Sequence, residues 1–208
     1  MLDIIFKLVL AYLIGSVSGS LLLGRLRNVD IRTVGSGNAG GTNALRTQGK
    51  LFALGVVVID IGKGALAASV IPGLVLLSSE PVPVWLPYAC GALSVVGHCY
   101  PIFYGFRGGK GAATLVGTYL VLAPVIILPM LAVWLLTIAL TGFVGLATMV
   151  TGHAAWILLL VIGGVVNALV IYAVVMALFV VYTHRSNIQR MRDGTESQNT
   201  KLMVFKKT

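Results

Sequence analysis

The chain has 208 residues, 58% hydrophobic and 10% charged, with a net charge of +9 and a mean hydropathy of +0.98. A soluble domain carries about 25% charged residues, so a water-covered globular fold is excluded and lipid must cover most of the surface. Long apolar runs rather than period-two alternation exclude a β-barrel, and charges placed beside apolar spans report topology rather than nucleic-acid binding.

The expected fold is an all-α integral membrane bundle, one domain over residues 1–208. The first span runs from about Ile4 to Leu23; Asp3, Lys7 and the lack of a small-residue cleavage site mark it as a retained helix rather than a signal peptide. A basic loop, Gly24 to Lys50, follows with Arg25, Arg27, Arg32, Arg46 and Lys50. The second span, Leu51 to Leu77, contains Asp60 and Lys63, three residues apart and read as a structural ion pair. A short turn, Ser78 to Pro83, holds Glu80 and no basic residue. The third span, Val84 to Phe103, carries Cys90 and Cys99, about 13 Å apart on a helix and so too distant for a disulfide. A second basic loop, Tyr104 to Gly111, holds Arg107 and Lys110, and apolar sequence then runs from Ala112 to Tyr182. The tail from Thr183 adds Arg185, Arg190, Arg192, Lys201, Lys206 and Lys207.

Thirteen of the fifteen basic residues thus lie in two loops and the tail. The positive-inside rule puts these segments in the cytoplasm and the N-terminus outside. Residues 112–182 must then cross an even number of times. Two crossings of about 35 residues would be far too long for a core of about 30 Å, and four of about 18 residues fit. Breaks are available at Ala123-Pro124, Thr141-Gly142 and Gly163-Gly164. The expected count is seven spans, with five as the alternative and a very short first span in this stretch. Trp85 and Trp156 suit membrane interfaces.

Three polar segments can carry chemistry. Gly35 to Asn43 reads GSGNAGGTN and is followed by Arg46; small residues with free amides form an anion nest, and a guanidinium fork suits phosphate. By itself such a loop could be a flexible turn; the membrane setting, the arginines and the absence of any acidic residue from Ile31 to Ile59 favour the nest. Gly97 to Gly111 reads GHCYPIFYGFRGGKG, with His98 near the end of a span. It lacks the first glycine and the final hydroxyl of an ATP-binding loop, yet glycines before a lysine at a helix start still suit an anion. His98 alone reads more readily as a core histidine, and its neighbours shift the balance. The tail begins with His184, Arg185 and Asn187, with His184 and Asn187 expected on one helix face and the arginines meeting lipid headgroups.

These segments offer basic, amide and hydroxyl groups with almost no carboxylates. They suit a doubly charged phosphate compound and a lipid co-substrate, and neither a glycosidase pair nor a metal centre.

The three motifs GSGNxGxTNxxR (Gly35 to Arg46), GHxxPxFxxFRGGKG (Gly97 to Gly111) and HRxNIxRxxxGTE (His184 to Glu196) resemble the acyl-phosphate:glycerol-3-phosphate acyltransferases, the PlsY family of bacterial membranes, over nearly the whole chain. A weaker motif lies at Gly15 to Gly19, where Ser18 replaces the family's usual proline; Ala39 and Gly41 replace a usual proline and alanine. The resemblance implies transfer of a fatty acyl group from acyl phosphate to the 1-hydroxyl of glycerol 3-phosphate, giving lysophosphatidic acid and phosphate, the first step of phospholipid synthesis. It implies no cofactor, a multi-pass place in the bacterial inner membrane, and transient contact with the soluble enzyme that makes acyl phosphate. No histidine is followed five residues later by aspartate, the mark of soluble-donor acyltransferases.

The expected catalytic set is Ser36, Lys110, His184, Asn187 and His98. The expected phosphate-binding set is Gly37, Asn38, Gly40, Thr42, Asn43, Arg46, Gly108, Gly109 and Gly111. Arg46, Lys110 and the loop amides would neutralise phosphate, Ser36 and Asn38 would orient substrate oxygens, and His184 and Asn187 would close over the glycerol phosphate. With no carboxylate recognised in the motifs, the proton acceptor is read as a substrate phosphate oxygen, with His98 or His184 as the alternative. Other readings are an anion carrier, which needs basic residues along a path across the membrane; a lipid-binding subunit, which would tolerate loss of Lys110; and a CDP-alcohol phosphotransferase, whose repeated aspartates are missing.

Overall fold

The computed structural model describes residues 1–76 and 81–204. Glu80 of the expected turn between the second and third spans, and Lys206 and Lys207 of the tail, lie outside the described residues. Among the described residues the regular structure is all helical, as expected where lipid cannot satisfy an exposed backbone. The chain forms two compact units, Met1–Leu122 and Ala123–Thr208.

In the first unit α1 (Leu2–Gly15) and α2 (Gly19–Leu26) meet at a 49° bend. The single straight span expected from Ile4 to Leu23 is therefore broken at Ser16–Ser18. Near the start of α1, Lys7 and Asp3 form a buried ion pair at 2.7 Å, so neither charge meets lipid. The first loop is not simply a loop: it contains α3 (Gly41–Gln48), led in by a turn at Ile31–Thr33. α4 (Lys50–Ser69) buries Phe52, Val56, Asp60, Lys63 and Ala67 at helical spacing and turns Leu51, Leu54 and Val58 outward. This is a membrane helix with its charges inside and its apolar face outside. α5 (Leu86–Cys99) and α6 (Ala112–Leu122) complete the unit, shorter than the third span expected from Val84 to Phe103. Cys90 and Cys99 are free thiols.

Small residues set the closest crossings. Gly15 lies against the backbone of Ser94, and Gly97 against Tyr12 and Ser16, so α1 and α5 meet backbone to backbone. Gly64 and Gly117 do the same for α4 and α6, against Thr114 and Ile61 respectively. Under the first loop an apolar cluster joins Leu21, Ile31, Ala44, Phe52 and Val56, with Tyr104 packed on it. It gives the polar loop a fixed floor.

In the second unit α7 (Ile127–Thr141), α8 (Val144–Gly163), α9 (Ala168–Thr183) and α10 (Arg185–Arg192) follow one another. The three expected breaks are all present: α6 ends before Ala123-Pro124, Gly142 caps α7, and Gly164 caps α8 in the left-handed conformation that glycine favours. α9 and α10 bend by 52°, placing His184 at the corner. Beyond α10 the tail is tied to the end of α7, with Asn199 N–H on the Gly142 carbonyl at 2.8 Å and Val204 N–H on that of Ala139 at 2.9 Å.

Among the described residues three helical segments are long and apolar enough to cross a membrane, Lys50–Gly73, Pro124–Thr141 and Val144–Gly163, and up to five if each bent pair counts as one span. α6, at 11 residues, is the very short helix expected after the second basic loop.

Candidate active site

The first loop is shaped from within. Asp30 accepts the Arg32 N–H at 2.9 Å and holds its guanidinium through Nε and Nη2. Those hydrogen bonds hold the Asp30 carboxyl below its usual range and push the Arg32 guanidinium above its own. Arg32 Nη1 then donates to the carbonyls of Tyr104 at 2.9 Å and Arg107 at 3.3 Å. Arg32, counted in the sequence only as a topological charge, is thus a strut between the two basic loops.

Asn43 departs from its expected role. It is 1% exposed; its Oδ1 accepts the Ser36 N–H at 2.9 Å, and its Nδ2 donates to the carbonyls of Ile31 and Val34 at 3.0 Å each. Its side chain therefore shapes the nest instead of facing a ligand. Gly35 and Gly37 have φ of +60° and +71°, left-handed turns on either side of Ser36. The Gly37 N–H is used on the Val34 carbonyl. The exposed donors are Ser36, Thr42 and Arg46. Thr42 and Arg46 share one face of α3, four residues apart. The amides of Gly41 and Thr42 open that helix, where no preceding turn supplies acceptors.

The second loop folds back on α5. The Gly108 N–H donates to the Cys99 carbonyl and the Gly109 N–H to that of His98, both at 3.1 Å. These two amides, expected to hold phosphate, instead fasten the loop. Gly109 leaves no room for a side chain: a Cβ would meet the His98 Nε2 and stand 2.8 Å from the Ala39 carbonyl oxygen. The two glycine-rich loops are therefore in contact, with His98 beneath them. Lys110, half-buried, and Gly111 lead directly into the first turn of α6, where unpaired amides favour an anion. Gly105 and Phe106 sit at φ of +66° and +59°; for Phe106 that conformation costs about 1 kcal/mol, held by the turn that returns its N–H to Pro101.

His98 also reaches down. Its Nδ1 lies 2.8 Å from Lys63 Nζ and 3.4 Å from Asp60 Oδ1, and Lys63 and Asp60 pair at 3.1 Å. The ion pair expected from sequence is present, but it is joined to His98, a link with no short-range signal.

In the second unit the His184 Nδ1–H donates to the Val180 carbonyl at 2.8 Å. The neutral ring then carries its lone pair on Nε2. Asn187, in α10 and three residues after its N-cap His184, packs against Gly145 and donates to Glu196 Oε1 at 2.7 Å. Glu196 Oε2 accepts from Arg190 Nε at 2.6 Å, and the Thr195 and Glu196 amides return to the Arg190 carbonyl. The third motif therefore does hold carboxylates: Asp193, which accepts from Gln189 Nε2, and Glu196, whose place at the end of HRxNIxRxxxGTE is the signal for it. Glu196→Gln replaces an acceptor facing Arg190 by a donor. It should lower the melting temperature by about 2–4 °C, the shift expected of ~1 kcal/mol in a chain this size. Faster proteolysis after Arg192 should accompany it. An unchanged melt would mean that the pair contributes nothing.

A family model described as glycerol-3-phosphate acyltransferase matches residues 5–194. The glycerol-3-phosphate acyltransferase of Aquifex aeolicus is 38% identical over 92% of this chain and 97% of its own length, and that of Thermus thermophilus 41% identical over 92% and 93%. The fold is similar to crystal structures of PlsY (YgiH), an integral membrane glycerol 3-phosphate acyltransferase. The glycerol 3-phosphate form superposes with a TM-score of 0.81 at 33% identity over 96% of both chains. The lysophosphatidic acid form gives 0.82 at 33% identity over 94% of both.

Proposed function

Because the chain belongs to the glycerol-3-phosphate acyltransferase family, we propose that its acyl donor is an acyl phosphate and its products are lysophosphatidic acid and inorganic phosphate. The observation that carries this reading is the contact between the two glycine-rich loops at Gly109, Ala39 and His98, with Arg46 and Lys110 on the same two segments. Two basic side chains and the helix-start amides beside Thr42 and Lys110 suit two phosphate groups brought near one another.

In this reading the 1-hydroxyl oxygen of glycerol 3-phosphate attacks the acyl carbonyl carbon. The new C–O ester bond forms as the bond to the phosphate oxygen breaks. The departing phosphate, already a good leaving group, takes the hydroxyl proton. Arg46 and Lys110 offset the negative charge, and Ser36 and Asn38 orient substrate oxygens. His98 is not the base in this scheme: an ammonium beside its Nδ1 requires that nitrogen to accept, leaving the proton on Nε2. His184 and Asn187 are proposed to contact glycerol phosphate, with the His184 Nε2 as the alternative proton acceptor.

The topology proposed is seven apolar helical runs: α1 with α2, α4, α5, α6, α7, α8, and α9 with α10. The N-terminus lies outside and the basic loops and tail face the cytoplasm of a bacterial inner membrane. The distribution of Lys and Arg supports it. A single acyltransferase domain over residues 1–208 is proposed with it, supported by the match of one family model across residues 5–194.

The test uses purified full-length protein in lipid with labelled glycerol 3-phosphate, palmitoyl phosphate in one tube and palmitoyl-CoA in another. Labelled lysophosphatidic acid is expected from the acyl phosphate alone. Product from palmitoyl-CoA alone would overturn the donor assignment. No product from either, with folded protein, would remove the enzyme reading.

A further inference from the structure

The bend in the first membrane helix is made by an ion pair inserted into its hydrogen-bond ladder. In an unbroken helix the Gly19 N–H would donate to the Gly15 carbonyl. Here the Gly19 N–H donates to Asp60 Oδ1 at 3.1 Å, Asp60 Oδ1 pairs with Lys63 Nζ at 3.1 Å, and Lys63 Nζ donates to the Gly15 carbonyl at 2.8 Å. The rung has been opened and an anion and a cation placed within it, each facing the half it complements. The carboxylate meets the amide start of α2 and the ammonium meets the carbonyl end of α1. Lys63 also takes the Val17 carbonyl at 2.8 Å. Asp60 is 1% exposed and Lys63 6% exposed. Asp60 Oδ2 has no hydrogen-bond partner among the described residues, an arrangement costly enough to need a purpose beyond holding a bend.

That purpose is visible on the other side of the lysine. Lys63 Nζ lies 2.8 Å from His98 Nδ1. An ammonium has no lone pair, so Nδ1 must accept and Nε2 must bear the hydrogen. That N–H is on the side of the ring pressed against Gly109, itself against the Ala39 carbonyl. We propose that Asp60 and Lys63 are positioning residues for the transfer reaction: a wedge that holds the α1–α2 bend and, through the His98 tautomer, keeps the two glycine-rich loops in register. The wedge touches no substrate in this scheme. Its effect belongs in the geometry of the reacting atoms rather than in the capture of glycerol 3-phosphate, which Arg46 and Lys110 still perform.

The proposal rests on the acyltransferase reading, and its test separates the two. Full-length protein in lipid is assayed with palmitoyl phosphate and labelled glycerol 3-phosphate for the parent, Lys63→Met, His98→Ala and the double variant. Lys63→Met is expected to lower kcat about 30-fold with KM for glycerol 3-phosphate changed less than about threefold, the signature of lost orientation. The double variant should be no worse than the poorer single variant, because one device has been broken twice. Losses that multiply, or an unchanged kcat in Lys63→Met, would overturn the wedge. The second measurement needs no activity and no substitution of Lys63. In parent protein labelled with ¹⁵N-histidine, His98 should show a protonated Nε2 and a bare Nδ1, its signals identified among the three histidines by their loss in His98→Ala. A proton on Nδ1 would overturn the proposal whatever the assay says. An inactive parent with the expected histidine spectrum would sink the acyltransferase reading and leave the tautomer assignment standing.

Discussion

Replacing Gly64 by leucine should leave no monodisperse protein to purify, whereas Gly62→Ala, two residues away on the same helix, should purify like the parent chain. The contrast follows from where each Cα points. A Cβ on Gly64 would fall within the backbone of Thr114 on α6, and the reciprocal contact places Gly117 against Ile61 and Ala65. Backbone cannot swing aside as a side chain can, so the two helices would have to separate along their length. In lipid there is no water-driven collapse to hold them; close packing itself supplies the association. Overpacking in cores costs about 1–3 kcal/mol and more where nothing yields, against a total stability of only about 5–15 kcal/mol. At Gly62 nothing lies within 4 Å of a Cβ and the position is exposed. There a methyl group removes unfolded-chain freedom and should be neutral or slightly stabilising. Size-exclusion profiles and thermal melts of the two variants decide it. A monodisperse Gly64→Leu protein with a parent-like melt would mean that the α4–α6 crossing is looser than described.

Lys110→Ala should lower kcat/KM about 1,000-fold, ~4 kcal/mol of transition-state stabilisation, with the melting temperature close to that of the parent. The position explains both halves of the expectation. Gly108 and Gly109 fasten the loop to the Cys99 and His98 carbonyls through backbone alone, so trimming the Lys110 side chain leaves that anchorage in place. The ammonium stands two residues before Ala112, the first residue of α6, where, in the proposed site, helix-start amides and a cation would act on the same phosphate. Lys110→Arg keeps the charge but enlarges and flattens the head, and should recover only part of the loss. Palmitoyl phosphate turnover under saturating and limiting glycerol 3-phosphate measures both. A loss below about threefold would remove Lys110 from the catalytic set.

Much of the architecture was legible because lipid imposes strong rules on composition. Apolar runs, glycine and proline punctuation, and clustered Lys and Arg are each readable one segment at a time. On that basis the breaks at Ala123-Pro124, Thr141-Gly142 and Gly163-Gly164 fall where helices end, and the three motifs lead to the family. The readings that failed are those that depend on partners far along the chain. Asn43 looks like a donor for substrate until Ile31, Val34 and Ser36 are seen to occupy it. Gly108 and Gly109 look like free amides until α5 supplies acceptors. Glu196 was overlooked because a carboxylate in a tail gives no hint that Asn187 and Arg190 share it.

The sequence by itself determined that this chain lies in a membrane, that its chemistry is basic and rich in backbone amides, and which family it resembles, since those follow from composition and from residues close together in the chain. Only the tertiary structure decided that Asp60 and Lys63 stand inside the ladder of the first helix and under His98. Gly15, Gly19, Asp60, Lys63 and His98 come from four different helices. A hydrogen bond depends on a distance in space that spacing along one chain does not encode.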